Sequence, residues 1–398
     1  MGDRKRRAAL PAIAVGLGAA LGSAVLQPVP AAADPDPRRV PNVPFVDRLG
    51  CGKNLHTLFT YDGVKGAATS GTTRLPARDK GYPDAKLTAQ HSSAGAWDTV
   101  DYPADFNGGL DPHWQGEALE PQDGPMTAVY DLGYAQRLFF SVADLDALEH
   151  LQIVGYRDGK PVTPRGIPRG GANPVVSTVG DELDIRDTTG AVDPGADDFI
   201  PLDVVDVVFD QPVDRVRVFV DGAALGTAAI TRFFGCRDTS IDKRAGAPQR
   251  LSAGKDQVTY AIPYTVTVGN PYGNMPARPR VTDDVARRFP RGSVVSIVPG
   301  KVTGPRPACT PNKGFFARKS SELLPGAGFL AGGQKCTVHY TVKVTYPRGI
   351  NPPPSRNTAT LYEDGKAAVV DRDTAVVDLG SVPVLPAAAC RCRPKETA

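Results

Sequence analysis

Two stretches of strict alternation constrain this chain more than any other feature. Val258, Tyr260, Ile262, Tyr264, Val266 and Val268 occupy every second position over eleven residues, and Val338, Tyr340, Val342, Val344 and Tyr346 repeat the pattern later in the chain. A period of two sends one face of a strand to a core and the other to solvent, which no helix can do. Segments built this way must find partner strands, because their backbone donors and acceptors have no partners within the segment.

The rest of the chain agrees. Leu138–Val142 and Gln152–Tyr156 read as strands, the second running into Arg157-Asp158-Gly159-Lys160, where Asp-Gly marks a two-residue hairpin turn. Val204–Phe209 is apolar except for Asp206. The turn expected at Asp210-Gln211-Pro212 follows, and then Val216, Val218 and Val220 alternate with Arg215, Arg217 and Phe219. Strand signals recur at Val281-Thr282-Asp283 and Val294–Val298, and a last hairpin is expected to pair Thr358–Tyr362 with Ala367–Val370 across Asp364-Gly365. The 42 Gly and 38 Pro make up a fifth of the 398 residues, against roughly 12% in an average protein, and they punctuate these runs as turns do. No long stretch carries apolar residues at helical spacing. The fold class expected is all-β, with two antiparallel β-sandwich domains.

Residues 1–33 read as an export signal: a basic start at Arg4-Lys5-Arg6-Arg7, an apolar run from Ala8 to Leu26, and small residues Ala31-Ala32-Ala33 before Asp34. Asp3 and the four basic residues carry between them the whole formal charge of +3, so the remainder is near neutral. A near-neutral chain gives no reason to expect nucleic acid as a partner, and no second segment suits membrane insertion once the signal is cleaved. The expected location is therefore extracellular, with non-covalent attachment to the cell wall as a variant. Residues 34–44 read as a Pro-rich leader, 45–237 as the first domain, 238–255 as a linker, 256–382 as the second domain and 383–398 as a flexible tail. The long stretch 62–126 is expected to hold extra strands or a ligand-facing surface.

An exported chain with six cysteines is expected to form disulfides. Cys51–Cys236 would join the two ends of the first domain, and Cys309–Cys336 would staple the second. Cys390 and Cys392 are left over in the tail, either paired with each other, cross-linked to another chain, or bound to metal.

The order of Tyr264-Thr265-Val266-Thr267-Val268-Gly269-Asn270, Val281-Thr282-Asp283, Gly332-Gly333 before Cys336-Thr337-Val338, and Asn357-Thr358-Ala359-Thr360 resembles the Ig-like conserved repeat of bacterial surface and secreted proteins. The resemblance covers residues 255–375 and implies an Ig-like sandwich acting as a spacer. The first domain is similar to the jelly-roll ectodomains of adhesins and carbohydrate-binding modules, through Phe140–Asp146, the hairpin at Asp158-Gly159 and Val207–Val220. That likeness implies a jelly-roll-like head beside the spacer.

Candidate sites are sparse. Trp97 and Trp114, with Tyr102, lie in the loop-rich stretch, where flat rings either stack on sugars or fill the core. Asp144 and Asp146 are two apart at a strand end, and Asp105, Asn107 and Asp111 echo the oxygen spacing of a calcium loop. The sixth position of that loop is Leu110 instead of Gly and no Glu stands at the twelfth, and the alternative for Asp144 and Asp146 is a solvated strand end. Ca²⁺ is thus the one cofactor expectation. None of the five histidines sits in a His-Glu-x-x-His or Gly-x-Ser-x-Gly setting, so no catalytic residue is named. The expected function is non-enzymatic binding or adhesion, the partner an extracellular glycan, cell wall or matrix protein. A structural envelope component and a carbohydrate-active enzyme are the alternatives.

Overall fold

The alternating segments become the long central strands of the structure. It is a computed structural model that describes residues 47–61, 71–78, 82–91, 96–102, 116–122, 125–143, 150–169, 174–188, 204–221, 229–253, 256–289, 293–349, 352–362 and 369–380. In chain order the first half holds β1 (Leu55–Thr57), β2 (Gly71–Leu75), β3 (Ala85–His91), β4 (Ala96–Tyr102), β5 (Gly116–Gln122), β6 (Met126–Ala143), β7 (His150–Arg157), β8 (Lys160–Val162), β9 (Arg165–Pro168), β10 (Val175–Val179), β11 (Glu182–Arg186), β12 (Val205–Asp221), β13 (Ala229–Ile230) and β14 (Phe234–Cys236). The second half holds β15 (Ser240–Ala245), β16 (Gln249–Ala253), β17 (Gln257–Gly269), β18 (Arg280–Asp283), α1 (Val285–Arg288), β19 (Val294–Thr303), α2 (Lys313–Phe316), β20 (Glu322–Pro325), β21 (Lys335–Pro347), β22 (Ser355–Tyr362) and β23 (Val369–Val377). The described residues are almost entirely β, in antiparallel sheets.

One antiparallel sheet of fourteen strands forms the first half, with β6 and β12 as its spine. β12 pairs with β6 on one side and with β7 and β9 on the other. Its inward valines, Val205, Val207, Val216, Val218 and Val220, join Phe140, Tyr130, Phe59 and Phe233 in one core. Phe140 and Phe233 stack at 4.2 Å between ring centroids. The turn expected at Asp210-Gln211-Pro212 is instead an irregularity inside a continuous strand, with the register shifting between Phe209 and Arg215. Proline has no N–H to donate, and a bulge lets it sit in a strand without leaving a ladder bond unmade. The hairpin at Asp158-Gly159 forms between β7 and β8, with both residues at positive φ (52° and 75°), as a type I′ turn requires.

The second half is a sandwich of two sheets: β15, β16, β17, β21 and β19 face β20, β18, β22 and β23. The two alternating segments lie side by side as β17 and β21, paired from Gln257↔Pro347 to Gly269↔Lys335. Their inward residues meet Val281, Leu323, Leu324, Ala359 and Leu361 of the facing sheet. The hairpin expected near the C-terminus pairs β22 with a longer partner, β23, and its Asp364-Gly365 turn lies outside the described residues.

Residues 238–255 are not a linker. β15 pairs with β17 from Ser240↔Gly269 to Ala245↔Tyr264, and β16 pairs with β17 from Gln249↔Ala261 to Ala253↔Val258. The charged, Gly- and Pro-bearing composition hides the alternation of Ile241, Lys243 and Ala245, of which Ile241 and Lys243 are buried. Nor are the halves merely tethered. The Met275 amide donates to Cys236 O at 2.8 Å and the Arg137 amide to Gly273 O at 2.7 Å, while the Met275 side chain enters the first core. The described residues from both halves thus form one compact unit.

Candidate functional site

Some sequence-predicted site residues fall on described backbone. Trp97 and Tyr102 lie on β4, opposite Pro121 and Gly116 of β5, so this part of the loop-rich stretch is a strand pair. Trp114, Asp105, Asn107, Asp111, Asp144, Asp146, Cys390 and Cys392 lie outside the described residues, as do the expected signal, leader and tail. Among the described residues no cluster of three or more metal-ligating side chains occurs, and no helix is long and apolar enough to cross a membrane, which says nothing of a β-barrel.

Cys51 and Cys236 are joined, with Cα atoms 5.5 Å apart, beside the pairing of Leu55 with Cys236 that brings β1 to β14. The bond expected between Cys309 and Cys336 is not closed. Both are buried thiols in side-chain contact, and burial pushes both upward from the ordinary thiol range, Cys336 the further. Oxidation and alkylation need a thiolate, which this apolar setting suppresses. A maleimide reagent is therefore expected to label neither residue in the folded protein and both after denaturation. Labelling in the native state would mean that this part of the sandwich opens.

Asp206, Asp184 and Asp283 are buried carboxylates with charged partners. Asp206, fully buried, accepts from Arg48 Nε at 2.6 Å, Arg169 Nε at 2.8 Å and Ser141 Oγ at 2.7 Å. It is the Asp that interrupts the apolar run of β12, and its donors come from three separate segments, so its role is to pin them together. Asp184 on β11 meets His150 and Arg186, and it is held below the ordinary carboxylate range: desolvation opposes this, and the hydrogen bonds from Arg186 and His150 outweigh it.

The third site lies at the centre of the second sandwich. Lys243 of β15 and Asp283 of β18 form an ion pair, Nζ to Oδ2 at 2.6 Å, with both side chains fully buried between the sheets. The Tyr340 hydroxyl donates to the same Oδ2. Lys243 Nζ also lies 5.1 Å from the centre of the Tyr264 ring, and Tyr264 and Tyr340 stack at 5.5 Å. Asn357 of β22 is fully buried beside the two tyrosine hydroxyls, yet neither its Nδ2 nor its Oδ1 has a well-formed partner, and Asp283 Oδ1 has none either. Burial lowers the Lys243 amine from 10.5 to about 8, against the pull of Asp283, and raises both phenols, which stay protonated. Buried charge of this kind costs several kcal/mol per ion by typical measures and is kept only with excellent geometry.

Register explains how the cluster assembles. Asp283 pairs with Ala359 on β22, which puts Asn357 on the same inward face, one diagonal step away. Lys243 reaches in from the opposite sheet, its amide tied to Asp373 Oδ2 of β23 at 2.6 Å. Tyr264, Asp283 and Asn357 all stand in the segments that carry the Ig-like resemblance. Lys243 was missed because its strand reads as linker, and the inward phase of Ile241, Lys243 and Ala245 is the signal that would have found it.

A surface cleft of about 220 Å³ opens where the halves meet, lined among others by Lys53, Arg237 and Arg278, with His56, Tyr82 and Tyr362. The Arg237 guanidinium stacks 3.8 Å over the Tyr82 ring. No carboxylate is among the described residues that line it.

No protein-family model matches the chain, and no curated protein matches it. Among solved structures, it is similar to the N-terminal domain of a Streptococcus gordonii adhesin at 10% identity, covering 77% of this chain and 75% of that one, with a TM-score of 0.25. The C-terminal domain of a Streptococcus pyogenes antigen I/II-family protein gives 10% identity, 71% and 99% coverage, and a TM-score of 0.18. A Ruminococcus gnavus beta-glucuronidase gives 8%, 75% and 44%, with a TM-score of 0.13. Likenesses this distant carry nothing about what the chain does.

Proposed function

We propose that the chain is an extracellular binding protein of adhesion type, without catalysis, whose first half presents the ligand surface and whose second half supports it. The observation that carries this reading is the cleft between the halves, whose described lining joins cationic side chains to aromatic rings. Cations satisfy acidic groups and ring faces pack on sugar faces, so the matching ligand is an acidic extracellular glycan, such as a cell-wall polymer. The backbone hydrogen bonds across the junction hold the cleft's two walls in register.

A pull-down on insoluble cell walls and on acidic and neutral polysaccharides tests this. Saturable binding to an acidic polymer is expected, falling as salt screens the charges, and lost in a Lys53→Glu, Arg278→Glu variant that keeps its thermal midpoint. Binding that survives this variant but fails in Trp97→Ala or Tyr102→Ala would move the site to the β4–β5 hairpin. Loss of binding in EGTA would instead put Ca²⁺ in the site. No binding to any polymer would leave the structural reading.

A further inference from the structure

The Lys243 cluster holds the parts of a reaction as well as those of an ion pair. A primary amine, a carboxamide and a carboxylate are buried around one pair of stacked tyrosines: Lys243 lies against the Tyr264 ring, Asp283 accepts from Tyr340, and Asn357 lies beside both hydroxyls. A buried Asn with both amide atoms unpartnered is unusual, because each such atom costs a lost hydrogen bond. We propose that Lys243 and Asn357 condense into an intramolecular amide, with Asp283 carrying the protons, so that β15 of one sheet is covalently tied to β22 of the facing sheet.

The chemistry balances without a cofactor, oxidant or water. The Lys243 ammonium gives one proton to the Asp283 carboxylate, 2.6 Å away, and becomes a nucleophile. Its lone pair forms a bond to Asn357 Cγ. The protonated Asp283 returns that proton to Asn357 Nδ2, the Cγ–Nδ2 bond breaks, and ammonia leaves. The proton then shed by the new amide nitrogen stays on Asp283, which ends neutral and donates to the new carbonyl.

Each surrounding feature suits a step. Burial lowers the Lys243 amine to about 8, so an appreciable share is neutral near physiological pH. Asp283 Oδ1 is without a partner and thus open to the carboxamide. The Tyr264 hydroxyl, kept protonated by burial and without a well-formed partner, lies beside Asn357 where it can donate to the carbonyl oxygen as negative charge develops on it, while Tyr340 holds Asp283. The fold holds the reacting groups together before any bond forms, which is the largest entropic obstacle to a bimolecular condensation. The product also replaces a buried ion pair with neutral groups, removing the charge that made the site costly. The inference does not depend on what the first half binds.

Peptide mapping of the full-length folded protein, fully reduced and denatured before digestion with trypsin, is the test. The expected result is a branched peptide joining the Lys243 segment to the Asn357 segment, lighter than its two parts by one ammonia, with no cleavage after Lys243. Asp283→Ala, which keeps both reacting residues, is expected to lower the yield of that peptide about 100-fold or more, as loss of a general acid–base does. Lys243→Met and Asn357→Ala should abolish it. Cleavage after Lys243 in the folded wild-type chain, with an unaltered Asn357 peptide, overturns the proposal. So does a link that loses water instead of ammonia and maps to Asp283, or an ammonia loss confined to Asn357 as a ring with its own backbone. The wild-type map decides the matter even where a variant does not fold.

Discussion

Asp283→Ala is expected to destabilise the second sandwich by about 3–5 kcal/mol, the usual cost of removing one partner from a fully buried ion pair. Lys243 would be left with its charge between two apolar sheets, and the Tyr340 hydroxyl would lose its acceptor. The sharper form of the experiment adds Lys243→Met with Asp283→Leu. Without a covalent tie, this apolar pair should recover most of the loss, since such replacements are often neutral. With the amide present in the wild type, the recovery should fall short. By the chain-entropy estimate used for disulfides, a cross-link closing a loop from 243 to 357 is worth about 5 kcal/mol. Denaturant midpoints for wild type, single and double variants separate these terms. A single variant losing less than about 1 kcal/mol would mean that Lys243 swings out to water when its partner is gone.

Reduction of the Cys51–Cys236 bond, or Cys51→Ser, is the second large effect. The bond spans 185 residues, and for a loop of that length the same estimate gives about 5 kcal/mol. The loss should appear as a lower urea midpoint in the presence of reductant, and the Cys51→Ser variant should show no such dependence. Because the Met275 amide donates to Cys236 O, loosening β14 should also weaken the junction, and the cleft with it. A change below about 1 kcal/mol would mean that residual pairing of β1 with β14 already confines these ends within the unfolded ensemble.

Much of the fold was legible because its signals are local. The alternation of β17 and β21, the Asp158-Gly159 turn and the valine phase of β12 are each set by a few neighbouring residues and by the two-residue period of a strand. Where local composition and tertiary role disagreed, the reading failed. Ser240–Ala253 looked like a linker because its inward position carries Lys243, and a lysine on that face makes sense only once Asp283 is seen across the core. Asp210-Gln211-Pro212 looked like a turn because proline ends most strands, and only the partner strand β6 reveals the register shift that accommodates it.

The sequence by itself determined that the described part of this chain is almost entirely β, where its main strands run, and which of their faces are apolar. Those follow from side-chain period and turn chemistry, which act over two to four residues. Tertiary structure alone decided that the two halves meet through shared hydrogen bonds, and that a lysine, an aspartate and an asparagine from three distant strands converge on two tyrosines. Convergence of that kind depends on sheet register and on how two sheets face each other. Neither is encoded in any short window, because a strand's pattern specifies its buried face but not which strand lies across the core from it.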